Sequence, residues 1–107
     1  MPKLVVLYPQ PVDPTEFEKV FMEEHLPLVL AQMPAVVRYE VGRVVGGERG
    51  VAPYYWITQL HFESMESLMT TTASPGAQRA SGHARQISTG GPPTMFVVEE
   101  ARSSSSP

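Results

Sequence analysis

The sequence predicts one α+β domain: a four-stranded antiparallel sheet with helices on one face. Three observations carry this prediction. Hydrophobic patterning switches between strand-like and helix-like stretches in the order strand, helix, strand, strand, helix, strand. The chain has 107 residues, 42% hydrophobic and 18% charged, enough for one core and too few for two. The third strand-like stretch is apolar or aromatic on both sides, so that helices on one face of the sheet would leave an apolar face on the other.

Lys3 to Tyr8, with valines at its centre and Pro9 and Pro11 behind it, reads as a buried strand. Asp13-Pro14-Thr15-Glu16 then starts a helix. Asp13 can accept from first-turn N–H groups, Pro14 suits the first helical position, and Glu16 can reach back as in a capping box. The helix is expected to end near Met33, because Pro34 disfavours helical geometry in the residue before it. Val36 to Val45 and Tyr54 to Phe62 form a long hairpin whose tip, Gly46 to Ala52, is expected to be exposed and mobile. Ser64 caps a helical stretch carrying Met65, Leu68 and Met69. Ser74-Pro75-Gly76 interrupts it, and the small residues Ala77, Ala80 and Ala84 let the following piece lie close to what it covers. Thr94 to Glu99 is the last strand. The domain should span residues 1–100, and the 101–107 tail, with four serines in a row, is expected to be disordered.

Within the first helix, Phe17, Val20, Phe21 and Leu28 recur at the spacing that buries one face, and His25 falls on that face. Pro27 lacks an N–H and crowds the turn before it, so the helix should bend beside His25.

This element order is the split βαβ pattern of a ferredoxin-like sandwich, βαββαβ. Two right-handed crossovers place the helices on one sheet face and leave the other open. In the third strand Tyr54, Trp56, Leu60 and Phe62 are expected on one side, and Tyr55, Ile57, Gln59 and His61 on the other. An apolar face left open on so small a domain predicts a homodimer packed sheet to sheet.

The chain has no cysteine, which excludes disulfides, thiolate nucleophiles and cysteine-held metals. The net charge of −3, with lysine and arginine scattered, suggests neither a nucleic-acid partner nor a membrane anchor, and the chain reads as soluble and cytoplasmic. No His-x-x-x-His or Glu-x-x-His pair, phosphate-binding loop or nucleophile elbow is present, so no metal site and no cofactor are expected.

Several of these stretches together resemble the EthD family, named for a protein of ethyl tert-butyl ether degradation. They are Leu7-Tyr8-Pro9, Phe21 with His25-Leu26-Pro27-Leu28, Met33-Pro34, Tyr39-Glu40-Val41, Ala73-Ser74-Pro75 and Thr89-Gly90-Gly91. The resemblance runs over residues 3 to 99 and implies a dimeric α+β barrel with a pocket between each sheet and its own helices. It carries over most directly to His25, as a catalytic acid or base acting on a hydrophobic cyclic or aromatic metabolite. Such barrels include cofactor-independent monooxygenases and isomerases, polyketide-modifying enzymes and haem-binding proteins. Tyr8, Tyr39 and Trp56 are the candidate substrate-binding residues, against the reading that each is an ordinary strand aromatic. His25 has a competing reading as a core histidine of a non-catalytic binding or assembly module. His61 is assigned to the dimer face, and His83 to solvent or, alternatively, to an axial haem ligand.

Overall fold

The structure, a computed structural model, describes residues 1–104. Its elements are β1 (Lys3–Pro9), α1 (Pro14–Val20), a π-helical turn (Phe21–His25), α2 (Leu26–Gln32), β2 (Arg38–Arg43), β3 (Tyr54–His61), α3 (Met65–Thr72), α4 (Pro75–Ile87) and β4 (Thr94–Val98). The strands form one antiparallel sheet in the order β2-β3-β1-β4. This is the ferredoxin-like α+β arrangement, and the helices pack on a single face of it. Of the expected disordered tail, Ala101 to Ser104 are exposed and residues 105–107 lie outside the described residues.

The caps expected at Asp13 and Ser64 are in place, and Ser74 is a third. The side chains of Asp13, Ser64 and Ser74 accept from Glu16, Ser67 and Ala77 N–H respectively. The bend beside His25 takes the form of a π turn, in which the Leu26 N–H bonds back five residues to the Phe21 carbonyl. That wider turn, just before Pro27, changes the phase of the buried stripe. Phe17, Phe21, His25, Val29 and Met33 are all buried at four-residue spacing, whereas Leu28 is only half-buried.

In the centre of the sheet, Leu4, Val6 and Tyr8 of β1 face the helices with Trp56, Thr58 and Leu60 of β3. Val5 and Leu7 share the open face with Ile57, Gln59 and His61. The alternation expected for β3 fails at its start, because Tyr8 pairs with Trp56 while Pro9 pairs with Tyr54. Tyr55 is the extra residue of this bulge, and its side chain turns to the helix side. There its ring meets Phe17 and its hydroxyl donates to Glu18. Tyr54 instead reaches Thr94 across the open face.

The loop residues Gly46 to Val51 are exposed. Gly76 and Gly90 are fixed by close approach: a Cβ on Gly76 would strike the Gln32 carbonyl, and one on Gly90 the Gln10 carbonyl. The first contact is where α4 lies against the end of α2, as its run of small residues predicts.

Candidate functional site

Between the sheet and its helices lies a cavity of about 150 Å³. Its wall is mainly apolar: Leu4, Val6 and Leu60 from the sheet, Val29 and Met33 from α2, and Ala77, Ala80 and Ala84 from α4. The polar side chains on the wall are Tyr8, His25, Thr58, Thr72 and Ser81.

Tyr8 and His25 are brought together. The Tyr8 hydroxyl lies 3.3 Å from His25 Nε2, and both residues are buried. Behind Tyr8, Trp56 packs edge to face against Phe17 and Phe21 at centroid separations of 6.0 and 5.3 Å. Trp56 is therefore part of the aromatic cluster that holds Tyr8 in place, and it does not line the cavity. Its indole N–H is buried without a hydrogen-bond partner among the described residues. Tyr39 is also outside the cavity: it sits on the edge strand β2 and is 43% exposed. Being paired opposite Leu60 puts it on the helix side of that edge.

His83 departs most from expectation. It is half-buried rather than solvent-exposed, its ring stacks on that of His25 at 5.1 Å, and the two Nδ1 atoms are 2.9 Å apart. One of these nitrogens must carry the proton that the other accepts. On its far side, His83 borders an outer groove between α1, the π turn and the end of α4, together with Asp13, Glu16 and Glu24. A chain of hydrogen bonds thus runs from Tyr8 in the inner cavity through His25 to His83 and the outer groove. Sequence spacing gave no sign of the His25–His83 pair, because it forms across 58 residues through the docking of α4 on the π turn.

Burial, and secondarily the charge of a protonated His83, lowers the His25 pKa to about 4. His25 is therefore neutral at pH 7. Burial pushes the Tyr8 phenol well above its ordinary range, so Tyr8 stays protonated and can donate.

His61 lies on the open face, as assigned, bonded at 2.6 Å to Glu40, whose carboxyl that contact holds below its ordinary range. On the helix side, Glu18 receives a two-pronged contact from Arg43 at 2.8 Å and the Tyr55 hydroxyl, which together hold its carboxyl low. The Glu18–Arg43 contact ties the hairpin to α1, the His61–Glu40 contact joins the hairpin's own two strands, and both lie away from the cavity. Among the described residues, no group of three or more His, Asp or Glu side chains is placed to hold a metal ion.

Comparisons with known proteins agree with this architecture. The EthD domain model matches residues 9–86. An uncharacterised 11.0 kDa protein from the thcB–thcC intergenic region of Rhodococcus erythropolis is 31% identical over 100 residues, covering 94% of this chain and 96% of that one. The crystal structure of an EthD family protein from Bacillus halodurans C-125 superposes with a TM-score of 0.82 at 27% identity, over 94% of this chain and 98% of that one. SnoaB, a cofactor-independent oxygenase from Streptomyces nogalater, superposes with a TM-score of 0.67 at 17% identity, over 98% of this chain and 97% of that one, a likeness of fold alone. A family model that covers most of the chain places this protein in the EthD domain family.

Proposed function

We propose that the protein binds a small hydrophobic cyclic metabolite in the inner cavity and that His25 acts on it as a general acid or base. The observation that carries this reading is the buried Tyr8–His25 pair on the wall of an otherwise apolar cavity. A neutral imidazole can accept a proton from an acidic C–H or O–H, and the protonated Tyr8 can donate to the oxyanion that forms. Burial opposes a lone imidazolium. An adjacent enolate or phenolate reverses that balance, because the two charges then form as a pair.

His83 extends the proposal. As His25 Nε2 takes a proton, Nδ1 can pass one to His83, which shares the outer groove with Asp13, Glu16 and Glu24. The positive charge would then rest near carboxylates rather than in the cavity. Isomerisation, decarboxylation and oxygenation without a cofactor can each begin with such a proton transfer. A homodimer joined through the open sheet face completes the proposal.

The competing reading, a non-catalytic module, draws support from the fact that both ring nitrogens of His25 already have partners. Deuterium exchange separates the two without knowledge of the product. In D₂O, the wild-type protein should catalyse exchange at the α C–H of a simple cyclic ketone such as cyclohexanone, whose uncatalysed exchange at neutral pH is slow. His25→Gln, if still folded, should lose that catalysis by about 100-fold or more. Equal exchange in the two proteins would remove His25 from the chemistry and leave it as a core residue.

A further inference from the structure

Of the five polar side chains on the cavity wall, four already have hydrogen bonds. Tyr8 and His25 bond to each other, Thr72 Oγ1 donates to the Met69 carbonyl, and Ser81 Oγ donates to Met95 Sδ while accepting from Arg85. Thr58 is the exception. It is 4% exposed, and its Oγ1 has no hydrogen-bond partner among the described residues. Its cross-strand neighbours on either side are Val6 and Val41, whose side chains offer none. A buried hydroxyl without a partner is unfavourable, and valine would fill the same shape without that cost.

The register places Thr58 close to the chemistry proposed above. Val6 is opposite Thr58 and Tyr8 is opposite Trp56, so Thr58 and Tyr8 are diagonal neighbours on the same face. Such pairs stand about 7–8 Å apart at the backbone, a span that a single ring can bridge. The cavity volume of about 150 Å³ is also that of an apolar protein cavity known to hold benzene.

We infer that Thr58 is a ligand-recognition residue and that the cavity takes a single-ring molecule carrying a hydrogen-bonding oxygen: a phenol, an enol or a cyclic ketone. This rests on the reading of the cavity as a ligand site. The apolar walls accept the ring, and the Thr58 hydroxyl, which can donate or accept, meets the oxygen. A fused-ring ligand would have to displace the close-packed α4 wall, and a plain hydrocarbon would offer the Thr58 hydroxyl no partner.

Phenol and toluene have nearly the same shape and differ by a hydroxyl for a methyl, as threonine and valine do. Their affinities for wild type and Thr58→Val, read from NMR shifts of the Leu60 and Ala80 methyl groups, form a closed cycle. In wild type, phenol should bind at least as tightly as toluene. Thr58→Val should weaken phenol about tenfold and leave toluene unchanged or tighter. Thr58→Ser, which keeps the hydroxyl, should retain the phenol preference; if Thr58→Val does not fold, comparing Thr58→Ser with Thr58→Ala gives the same readout. Toluene binding with no effect of Thr58→Val on phenol would overturn the role of Thr58 and leave the cavity reading intact. Failure of both probes to shift those methyls at millimolar concentration would overturn both.

Discussion

At the scale of single residues, the neutrality of His25 has a cost that should appear in the pH dependence of stability. An unfolded histidine titrates near 6.5, whereas His25 in the folded protein titrates at about 4. Below pH 6.5 the unfolded chain takes up a proton that the folded chain refuses. The stability present above pH 6.5 is therefore lost progressively as the pH falls towards 4, by roughly 2 to 3 kcal/mol in total. The carboxyls of Glu18 and Glu40 are also held low, and they contribute a loss of the same sign at more acidic pH. Urea unfolding of wild type and His25→Gln at pH 7.5 and 4.5 isolates the histidine. The variant should lose less stability across this interval, and parallel losses would show that His25 does not remain neutral on acidification.

At the scale of elements, α4 controls the site. It supplies the alanine wall of the cavity and brings His83 to His25, and it does both because Gly76 lets its first turn lie against the Gln32 carbonyl. Gly76→Ala tests this directly. Alanine is the better helix former by about 1 kcal/mol, so in an open helix the change would stabilise. Here the new methyl group meets backbone, and the shift it forces should give a net destabilisation of about 1 to 3 kcal/mol in urea, with a change in His25 and His83 imidazole resonances. A more stable variant with unchanged histidine signals would show that the contact yields easily. The same element shows what was legible in advance. Ser74, Pro75 and the run of alanines announced α4 and its close approach, just as Asp13 and Pro14 announced α1. Local capping and periodicity were sufficient for every element, and Pro27 for the irregular turn. Two features were beyond them. The π turn moved the buried stripe from Leu28 to Val29, and the bulge at Tyr55 exchanged the faces of Tyr54 and Tyr55. Each depends on one extra residue in a turn or a ladder, which hydrophobic spacing does not encode. For the candidate site, His25 stood out on the buried helix face, whereas Tyr8 was put forward together with Tyr39 and Trp56, and of those three only Tyr8 lines the cavity. His83 and Thr58 could not be placed in the site, because their importance comes from a contact made, or a contact lacking, only in the folded chain.

At the scale of the whole molecule, the sheet separates two surfaces with different roles. The cavity is on the helix side, while the open face carries Val5, Leu7, Ile57, Phe96 and Val98 as one apolar stripe. Part of that face is covered from within: Lys3 reaches Gln59 and His61 reaches Glu40, both at 2.6 Å. Phe96, on β4 opposite Val5, remains 43% exposed. A two-fold axis through this stripe would bury it against its own copy and leave the polar pairs of β2 and β3 towards the rim. The proposed dimer should therefore sediment at twice the 11.8 kDa chain mass at micromolar concentration. Phe96→Glu would place two like charges in the interface and should give a folded monomer. Because the cavity is walled by the opposite face and by the helices, that monomer should bind toluene with the affinity of wild type. A wild-type protein sedimenting at the mass of one chain would refute the dimer. A dimeric wild type whose Phe96→Glu monomer lost toluene binding would instead show that sheet packing shapes the cavity, so that assembly and ligand binding are coupled through the strands they share.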